Sequence, residues 1–378
     1  MKGRYSVVII IFLLFAGCST KPKQKLAAEK KNIQDTLIVA DKIESCCEVE
    51  DLPRSKGVDS GTPEIAPGAG GFDGMVFIEG GVFEMGADNE QARPDEYPKH
   101  PVRVNSFWMD EHEVTNAQFS EFVKATGYVT VAEKEVVLEN LLPGNLNTSY
   151  ARDSVAKAGS MVFSPPGQAV PLNDYSQWWS WTIGASWKHP KGPGSSIKGL
   201  ENHPVVHVCY YDALAYCKWA GKRLPSEAEW EFAARGGLEN NIYPWGNEHI
   251  EAGIPKANSW NGHFPNQNSM MDGFFTTAPV KSYAPNAYGL YDMAGNTWEW
   301  TADWYDPGYY KTLSTDKETL NPTGPAKSTG TELQKTMRGG SFLCNDSYCS
   351  SYRVAARMHG EVNTGMSHTG FRCVKDTQ

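Results

Sequence analysis

The sequence lacks an excess of basic residues. It has 35 Lys and Arg against 44 Asp and Glu, which gives a net charge of −9. Proteins that bind nucleic acids concentrate positive charge on one surface to neutralise phosphates. We therefore expect no nucleic-acid partner for this chain.

Long apolar runs are also scarce, and one lies at the amino terminus. Lys2 and Arg4 precede "VVIIIFLLFAG", and Cys18 follows it. The run is short for a transmembrane helix but suits a signal peptide. Its end, "LFAGC", resembles a bacterial lipobox and predicts a lipoprotein signal peptide over 1–17 with lipidation of Cys18. An ordinary cleaved signal and an uncleaved anchor are the alternatives.

The next segment has few aromatic residues and is rich in Lys, Pro, Gly and Ser. Such a composition buries too little apolar surface to offset the entropy of folding. We predict a lipid-anchored disordered tether over 18–72 and one domain over 73–378. Ser19, rather than Asp, follows the lipidated cysteine, so we expect a protein exported to the bacterial cell envelope and held by lipid at the periplasmic side of the outer membrane.

Within the domain, three segments carry the signals of a capped helix. A Ser, Thr or Asp at the start, Glu or Gln three residues later and Gly at the end are typical of such helices. The segments are "TNAQFSEFVKATG" from Thr115, "DALAYCKWAG" from Asp212 and "PSEAEWEFAARGG" from Pro225, whose cap is Ser226. Two others, "MVFIEGGVFEM" and "HPVVHVCY", are predicted strands. Dense Gly, Pro and aromatic residues between them indicate a loop-rich mixed fold.

Cys344 and Cys349 raise a chemical question, because they are five residues apart in "RGGSFLCNDSYC". In an exported protein such a pair can be a disulfide or two unrelated thiols. A helix would not bring them to one face, so a metal site would need a loop, which Gly339 and Gly340 allow. Two thiolates on a loop would select a soft ion such as Cu(I).

These segments together resemble a known family. "GVFEMG", "MDEHEVTNAQF", "SWKHPKGPGSSI", "AYCKWAGKRLPSEAEWEFAARGG", "PNAYGLYDMAGNTWEWTADWY", "RGGSFLCNDSYC" and "GFRC" occur in order within residues 74–374. The chain resembles the formylglycine-generating enzymes, also called sulfatase-modifying factor proteins. The resemblance implies a single α+β domain with little regular secondary structure and a topology related to C-type lectins.

The resemblance also implies an activity. Proteins of this family are copper-dependent oxidases that use O2 to convert the cysteine of a Cys-x-Pro-x-Arg segment in an unfolded sulfatase into Cα-formylglycine. By matching positions, Cys344 and Cys349 would bind Cu(I), Ser341 and Trp298 would line the catalytic pocket, and Tyr348 would lie beside the second cysteine. We expect the protein to act as a monomer.

Two clusters of oxygen-bearing residues are predicted calcium sites. Carboxylates mixed with carbonyl oxygens suit Ca²⁺, although Asp and Asn near Gly more often form turns. The resemblance favours calcium at both. The first site comprises Asn258, Ser259, Asp272 and Phe274; the second comprises Asp292, Gly295, Thr297 and Glu299.

The resemblance further implies a disulfide between Cys217 and Cys373, which would leave Cys209 as a buried thiol on a strand. Asn345 departs from the family, where histidine is usual at this position. The main alternative to the enzyme is therefore a non-catalytic envelope lipoprotein that uses the same fold for binding or assembly. The related iron-dependent sulfoxide synthases carry an additional His-rich helical domain, and nothing before residue 73 resembles one.

Overall fold

The computed structural model describes residues 65–66, 68, 70–137, 155–329 and 333–377. The predicted signal peptide, Cys18 and nearly all of the predicted tether lie outside these residues. In the described ranges no helix has both the length and the apolar character needed to cross a membrane.

The strands of the described ranges are β1 (Met75–Ile78), β2 (Gly81–Met85), β3 (His100–Val104), β4 (Phe107–Asp110), β5 (Val136–Val137), β6 (Val155–Ala156), β7 (Gly159–Phe163), β8 (Trp179–Ile183), β9 (Trp298–Trp304), β10 (Thr319–Leu320), β11 (Gln334–Arg338), β12 (Met358–Glu361), β13 (Thr369–Gly370) and β14 (Val374–Asp376). They form small sheets, and the largest sheet in these ranges has four strands in the order β12-β11-β9-β13. Three-stranded sheets follow the orders β1-β4-β14 and β10-β3-β2, and β5-β6 and β7-β8 are two-stranded sheets. The pairs β10-β3 and β13-β9 are parallel, and the other pairs are antiparallel.

Three α-helices accompany the sheets in the described part of the chain, at the three predicted places. In α1 (Asn116–Thr126) and α3 (Glu227–Arg235) the expected capping boxes form, and each helix ends at a glycine in the left-handed conformation. The helix α2 (Tyr210–Trp219) begins earlier than predicted. Asp212 is not its N-cap but accepts a hydrogen bond from the Cys209 N–H, three residues before it, at 2.9 Å. Short 3₁₀ helices cover Pro94–Glu96, Val131–Glu133, Tyr175–Gln177 and Tyr309–Thr312.

The strand prediction for "HPVVHVCY" is wrong. Its backbone is interrupted at His207, where φ is 61°, and no ladder forms over 203–209. The Val205 N–H donates to Val114 and the His207 N–H donates to Met366, both at 2.9 Å. Separate loops thus satisfy the polar groups that a sheet would otherwise pair. Cys209 accordingly lies at the start of α2 and not on a strand.

Buried ion pairs attach α3 to the sheet that leads into the cysteine segment. Arg338, the last residue of β11, donates to Glu227 at 2.8 Å and to Glu231 at 2.6 Å. All three side chains are buried. Removing one member of such a network leaves an uncompensated charge in the interior, which destabilises the fold by about 3–5 kcal/mol. The network therefore sets where the following loop begins.

Among the described residues, buried apolar side chains form three core clusters. Trp298, Cys344 and Cys349 belong to the first, while Phe342 and Leu343 belong to the third. The cysteine segment thus lies at the boundary between two clusters. The architecture confirms the predicted α+β class and its loop-rich character.

Residues just before the predicted domain start also contact the domain. The Gly68 N–H donates to the Lys218 carbonyl at 3.2 Å, and the Phe72 ring lies 4.9 Å from the Trp108 ring. Ile65 packs against the first core cluster. The described residues of 65–72 are therefore attached to the domain surface.

Candidate functional site

The site is built on the loop that follows β11. Gly339 and Gly340 have φ values of 92° and 74°. These positive values lie in a region of backbone conformation that favours glycine. A Cβ on Gly340 would lie 2.8 Å from the Ser351 carbonyl carbon, closer than a side chain tolerates. The two glycines therefore allow the chain to turn inward directly after the buried ion pairs of Arg338.

Cys344 and Cys349 lie on one tight loop. The Cys344 N–H donates to the Ser341 carbonyl at 2.9 Å. The N–H groups of Tyr348, Cys349 and Ser350 all donate to the Asn345 carbonyl, at 3.0, 2.9 and 3.0 Å. Cys344 is fully buried and Cys349 is 9% exposed. The loop thus holds both thiols inside the protein.

Ser341 and Trp298 also belong to this region. Ser341 Oγ lies 3.2 Å from Nδ1 of His368 and accepts a hydrogen bond from the Leu343 N–H at 3.3 Å. The main-chain N–H of Trp298 donates to the His368 carbonyl at 2.8 Å. His368 therefore links the two residues that the family resemblance places in the pocket, and the sequence analysis missed it.

Tyr348 points toward aromatic neighbours. Its ring stacks on Phe264 with centroids 4.7 Å apart and meets Trp178 edge-on at 5.9 Å. This packing fixes the loop from the side of the third core cluster. Tyr348, which directly precedes Cys349 in the chain, thus anchors the loop through its ring.

Asn345 organises the loop through its side chain. Its amide donates to the carbonyls of Trp260 and Gly262 at 2.9 and 3.1 Å, and its oxygen accepts from the Ser347 N–H at 2.9 Å. The side chain is buried. These hydrogen bonds therefore replace those that the amide would make with water. In this chain the Asn345 amide therefore stabilises the conformation of the cysteine loop.

A chain of hydrogen bonds leads from the loop to the surface. The Tyr352 hydroxyl donates to Asp346, and Nε2 of His249 lies 2.5 Å from the other oxygen of Asp346. Burial first, then Asp346, then the two cysteines Cys344 and Cys349 raise the pKa of Tyr352 above its usual range. Tyr352 belongs to the same core cluster as Cys344 and Cys349.

The first predicted calcium cluster comes together. Asp272 accepts from the N–H groups of Ser259 and Phe274, at 2.8 and 3.2 Å. The Asn258 side-chain oxygen is buried and has no hydrogen-bond partner among the described residues. An unpaired buried oxygen beside a carboxylate fits a hard cation.

The second predicted cluster contains an additional carboxylate, Glu113. One oxygen of Asp292 and one of Glu113 are buried and unpartnered in the part of the chain that is described. Burial, with the negative charge of Glu299 adding to it, raises the pKa of Asp292 to about 6, and burial followed by Asp292 raises that of Glu113 well above its usual range. A cation would relieve this excess of negative charge.

Glu299 is more constrained than the family resemblance implies. Arg372 donates to both of its oxygens at 2.7 Å, and the Trp230 indole donates to one of them at 2.8 Å. A carboxylate offers about four acceptor positions, so the oxygen paired only with Arg372 keeps one. Glu299 can therefore contribute at most a single strong contact to a cation while the ion pair persists.

Asn296 joins the two clusters. Its side-chain oxygen accepts from the Asn258 amide at 3.1 Å and its amide donates to Glu113 at 3.0 Å. Its φ is 60°, and it is fully buried. Its position in the sequence could have indicated this role, since Asn296 lies inside "DMAGNTWE" between the predicted ligands Gly295 and Thr297.

Cys217 and Cys373 also meet. Their sulfur atoms are 3.2 Å apart, 156 residues separate them in sequence, and both side chains are buried. The structure thus brings together the helix α2 and the residue directly before β14. The predicted disulfide between them stays a prediction.

The donors at the cysteine loop fit a soft metal ion. In the described ranges no group of three or more His, Cys, Asp and Glu side chains is arranged to hold a metal, so amide and carbonyl oxygens would have to complete either oxygen cluster around Ca²⁺. A metal at this loop would consequently be held by the two sulfur atoms of Cys344 and Cys349. Thiolate ligands in low number suit Cu(I) better than a harder divalent ion.

Comparison with known proteins gives the family. The sulfatase-modifying factor enzyme 1-like domain matches residues 62–377. The formylglycine-generating enzyme of Thermomonospora curvata is 47% identical over 305 residues, which cover 80% of this chain and 93% of the relative. That of Mus musculus is 45% identical over 306 residues, or 80% of this chain and 75% of the relative.

A solved structure agrees at the level of the fold. PvdO from Pseudomonas aeruginosa superposes with a TM-score of 0.51 at 24% identity, covering 80% of this chain and 94% of that chain. The loop-rich α+β domain, the paired cysteines on their loop and these matches agree with one another. The chain belongs to the sulfatase-modifying factor enzyme 1-like domain family.

Proposed function

We propose that this protein is a formylglycine-generating oxidase that acts on the cysteine of a Cys-x-Pro-x-Arg segment in an unfolded sulfatase. The observation that carries the proposal is the buried pair Cys344 and Cys349 on a single loop of a domain in this family. Relatives over most of the chain are named formylglycine-generating enzymes, which supports the same reaction class.

The reaction needs an external reductant. Conversion of the cysteine CH₂–SH group into an aldehyde removes two electrons from the substrate, whereas full reduction of O2 to water takes four. Two thiol molecules can supply the rest. One substrate cysteine, one O2 and two thiols then give one aldehyde, one hydrogen sulfide, one disulfide and one water.

The protein's residues have separate tasks in this scheme. Cys344 and Cys349 would hold Cu(I), which supplies the one-electron chemistry that allows O2 to react with an organic substrate. Ser341 and Trp298 would line the space beside the sulfur atoms. Tyr348 and Asn345 keep the loop in shape through the ring contact with Phe264 and the amide contacts with Trp260 and Gly262.

The remaining features complete the proposal. Ca²⁺ would occupy the two oxygen clusters around Asn258 and Asp292 and would have a structural role. A disulfide would join Cys217 and Cys373 in the oxidising compartment. The chain would be a monomer, held at the cell envelope by lipid on Cys18.

The direct test uses the full-length protein, reduced and loaded with one equivalent of Cu(I). A peptide containing Cys-x-Pro-x-Arg is incubated with it in the presence of O2 and a thiol reductant, and the aldehyde is detected by mass spectrometry. We expect conversion that Cys344→Ser and Cys349→Ser abolish. The matched control Cys209→Ser changes a buried thiol at the start of α2 and should retain conversion. An unchanged peptide with wild type would overturn the proposal.

The second candidate is a non-catalytic envelope lipoprotein. Asn345 favours it, because the amide that stands at the usual histidine position is fully engaged in holding the loop. Competition with a Cu(I) chelator separates the candidates. One-to-one copper binding that either cysteine substitution removes supports the oxidase, whereas no binding after reduction supports the second candidate.

A further inference from the structure

His368 is a buried imidazole that the family assignment leaves without a role. It is 1% exposed, and its ring packs edge-on against Trp179 with centroids 4.8 Å apart. Its main-chain carbonyl accepts a hydrogen bond from the main-chain N–H of Trp298, and its Nδ1 lies 3.2 Å from Ser341 Oγ. His368 therefore contacts both residues assigned to the pocket.

One ring nitrogen of His368 lacks a partner. Nε2 is buried and makes no hydrogen bond to any described residue. Leaving a polar group unsatisfied in the interior is unfavourable, so such groups frequently mark a position that another molecule fills. Ser341, whose hydroxyl contacts Nδ1 of this ring, donates its main-chain N–H to the sulfur of Cys344 at 3.4 Å. The unpartnered nitrogen thus belongs to the environment of the cysteine loop.

The surrounding hydrogen bonds indicate which nitrogen carries the proton. Ser341 Oγ already accepts from the Leu343 N–H, and His368 Nδ1 is the acceptor that the structure offers to the hydroxyl proton. If Nδ1 carried the proton, the hydroxyl would have no acceptor among the described residues. Nδ1 is therefore the acceptor, and Nε2 carries the N–H. Burial lowers the pKa of His368 to about 3, so the ring is neutral near pH 7.

Two tryptophans in contact with His368 also carry unpaired N–H groups. The indole N–H groups of Trp298 and Trp179 are also buried without an acceptor in the described part of the chain. Both residues contact His368, one through the backbone and the other through its ring. Three residues in contact thus each carry a ring nitrogen that is buried and unpaired in the described structure, and N–H donors of this kind suit an acceptor that carries negative charge.

We propose that His368 is a substrate-binding residue whose Nε2–H donates a hydrogen bond to the thiolate sulfur of the substrate cysteine beside Cys349. This inference rests on the proposed function, because that function supplies the cysteine substrate. The hydrogen bond would orient the substrate sulfur toward the loop. It gives the protein a means of preferring a cysteine over a residue without an acceptor at this position.

The test measures peptide binding rather than turnover. Full-length protein loaded with Cu(I) is titrated without oxygen with a Cys-x-Pro-x-Arg peptide and with the same peptide carrying alanine for cysteine. Two substitutions form a matched pair. In His368→Gln the amide can place an N–H donor near the position of Nε2, whereas in His368→Asn the shorter amide reaches only the position of Nδ1.

We expect wild type and His368→Gln to prefer the cysteine peptide similarly. His368→Asn should lose about tenfold of that preference, since a hydrogen bond to a charged group is worth about this factor or more. Ser341→Ala should lose part of it, because the proton position on the ring is no longer set. Thermal unfolding of each variant shows whether it is folded.

Two results would overturn the inference. One is an unchanged preference in a folded His368→Asn protein, and the other is an equal loss in the Asn and Gln variants, which indicates a purely structural role. If wild type oxidises the cysteine peptide while either result is obtained, the inference on His368 fails and the oxidase assignment stands. If wild type neither converts the peptide nor prefers cysteine, both fail.

Discussion

The side-chain amide of Asn345 donates to the main-chain carbonyl of Trp260 at 2.9 Å. The Trp260 N–H in turn donates to the Cys344 carbonyl at 2.9 Å. These two bonds join the cysteine loop to the segment that also carries Asn258 and Ser259 of the first predicted calcium cluster. Order in that cluster and order in the cysteine loop are therefore coupled through one short stretch of backbone.

Asn345→Ala should destabilise the protein and loosen the cysteine loop. The substitution removes two buried donors and the acceptor for the Ser347 N–H, so the free energy of unfolding should fall by about 1–3 kcal/mol. Urea unfolding measures this change. Ser347→Ala is the matched control, because it removes only the hydroxyl that bonds to Asn345. Equal stability of Asn345→Ala and wild type would contradict the structural role.

Glu113→Gln should have opposite effects with and without calcium. In EGTA the variant should melt above wild type, because a buried carboxyl with a strongly raised pKa is replaced by a neutral group that can keep the Asn296 contact. With Ca²⁺ added, its gain in melting temperature should be smaller than that of wild type, since one oxygen ligand is weakened.

The control for this measurement is Glu111→Gln, which removes the same charge from a partly exposed carboxylate paired with Lys281. It should leave the calcium-dependent gain unchanged. A gain in Glu113→Gln as large as that of wild type would show that Glu113 does not contribute to a calcium site.

The Cys217 and Cys373 thiols should form a disulfide when the protein is oxidised. Mass spectrometry of a digest should then find the two peptides linked. Replacing both residues by alanine should lower the free energy of unfolding of the oxidised protein by about 2–5 kcal/mol. Cys209→Ala serves as the comparison, since it changes a buried thiol that is not part of this pair. Unlinked peptides after oxidation of the folded protein would contradict the prediction.

Asp303→Asn should flatten the dependence of stability on pH between about 4 and 7. Burial, with Glu227 adding to it, raises the pKa of Asp303 from 3.8 to about 7. In this window the folded state binds a proton that the unfolded state has released. Wild-type stability therefore decreases as pH rises from 4 to 7, by a few kcal/mol at most, that is about 1.4 kcal/mol per unit of pKa difference.

The asparagine oxygen can still accept from the Glu227 N–H, which donates to Asp303 at 2.8 Å, so the start of α3 should be preserved. The control Asp316→Asn changes an exposed carboxylate and should leave the pH profile as in wild type. The measurement is chemical unfolding at several pH values. A variant whose profile matches wild type would exclude Asp303 as the source of the slope.

Local structure was predictable where the signal is local. Thr115 with Gln118, and Ser226 with Glu229, form capping boxes because their partners are three residues away in the chain. "HPVVHVCY" misled because its apolar residues are typical of a strand. Its backbone groups bond instead to Val114 and Met366, which are distant in sequence.

The residues of the site also divide into those indicated by local motifs and those whose partners are distant in the sequence. Cys344, Cys349, Ser341, Trp298 and the two oxygen clusters were named through short motifs that resemble a family. His368 and Glu113 were not, since each gains its meaning from a neighbour far along the chain: Ser341 for one and Asp292 for the other. A single histidine or glutamate in a sequence gives no sign of such a neighbour.

Sequence alone was enough to predict the family, the α+β class, the capped ends of α1 and α3 and the pair of cysteines at the centre of the site. These depend on residue types at short spacings, which act through the backbone nearby. The folded arrangement was needed to find which buried polar atoms stay unpaired; among the described residues they include side-chain atoms of His368, Glu113, Asp292 and Asn258. Hydrogen bonding and desolvation depend on every group packed around an atom, and packing brings those groups together from all parts of the chain.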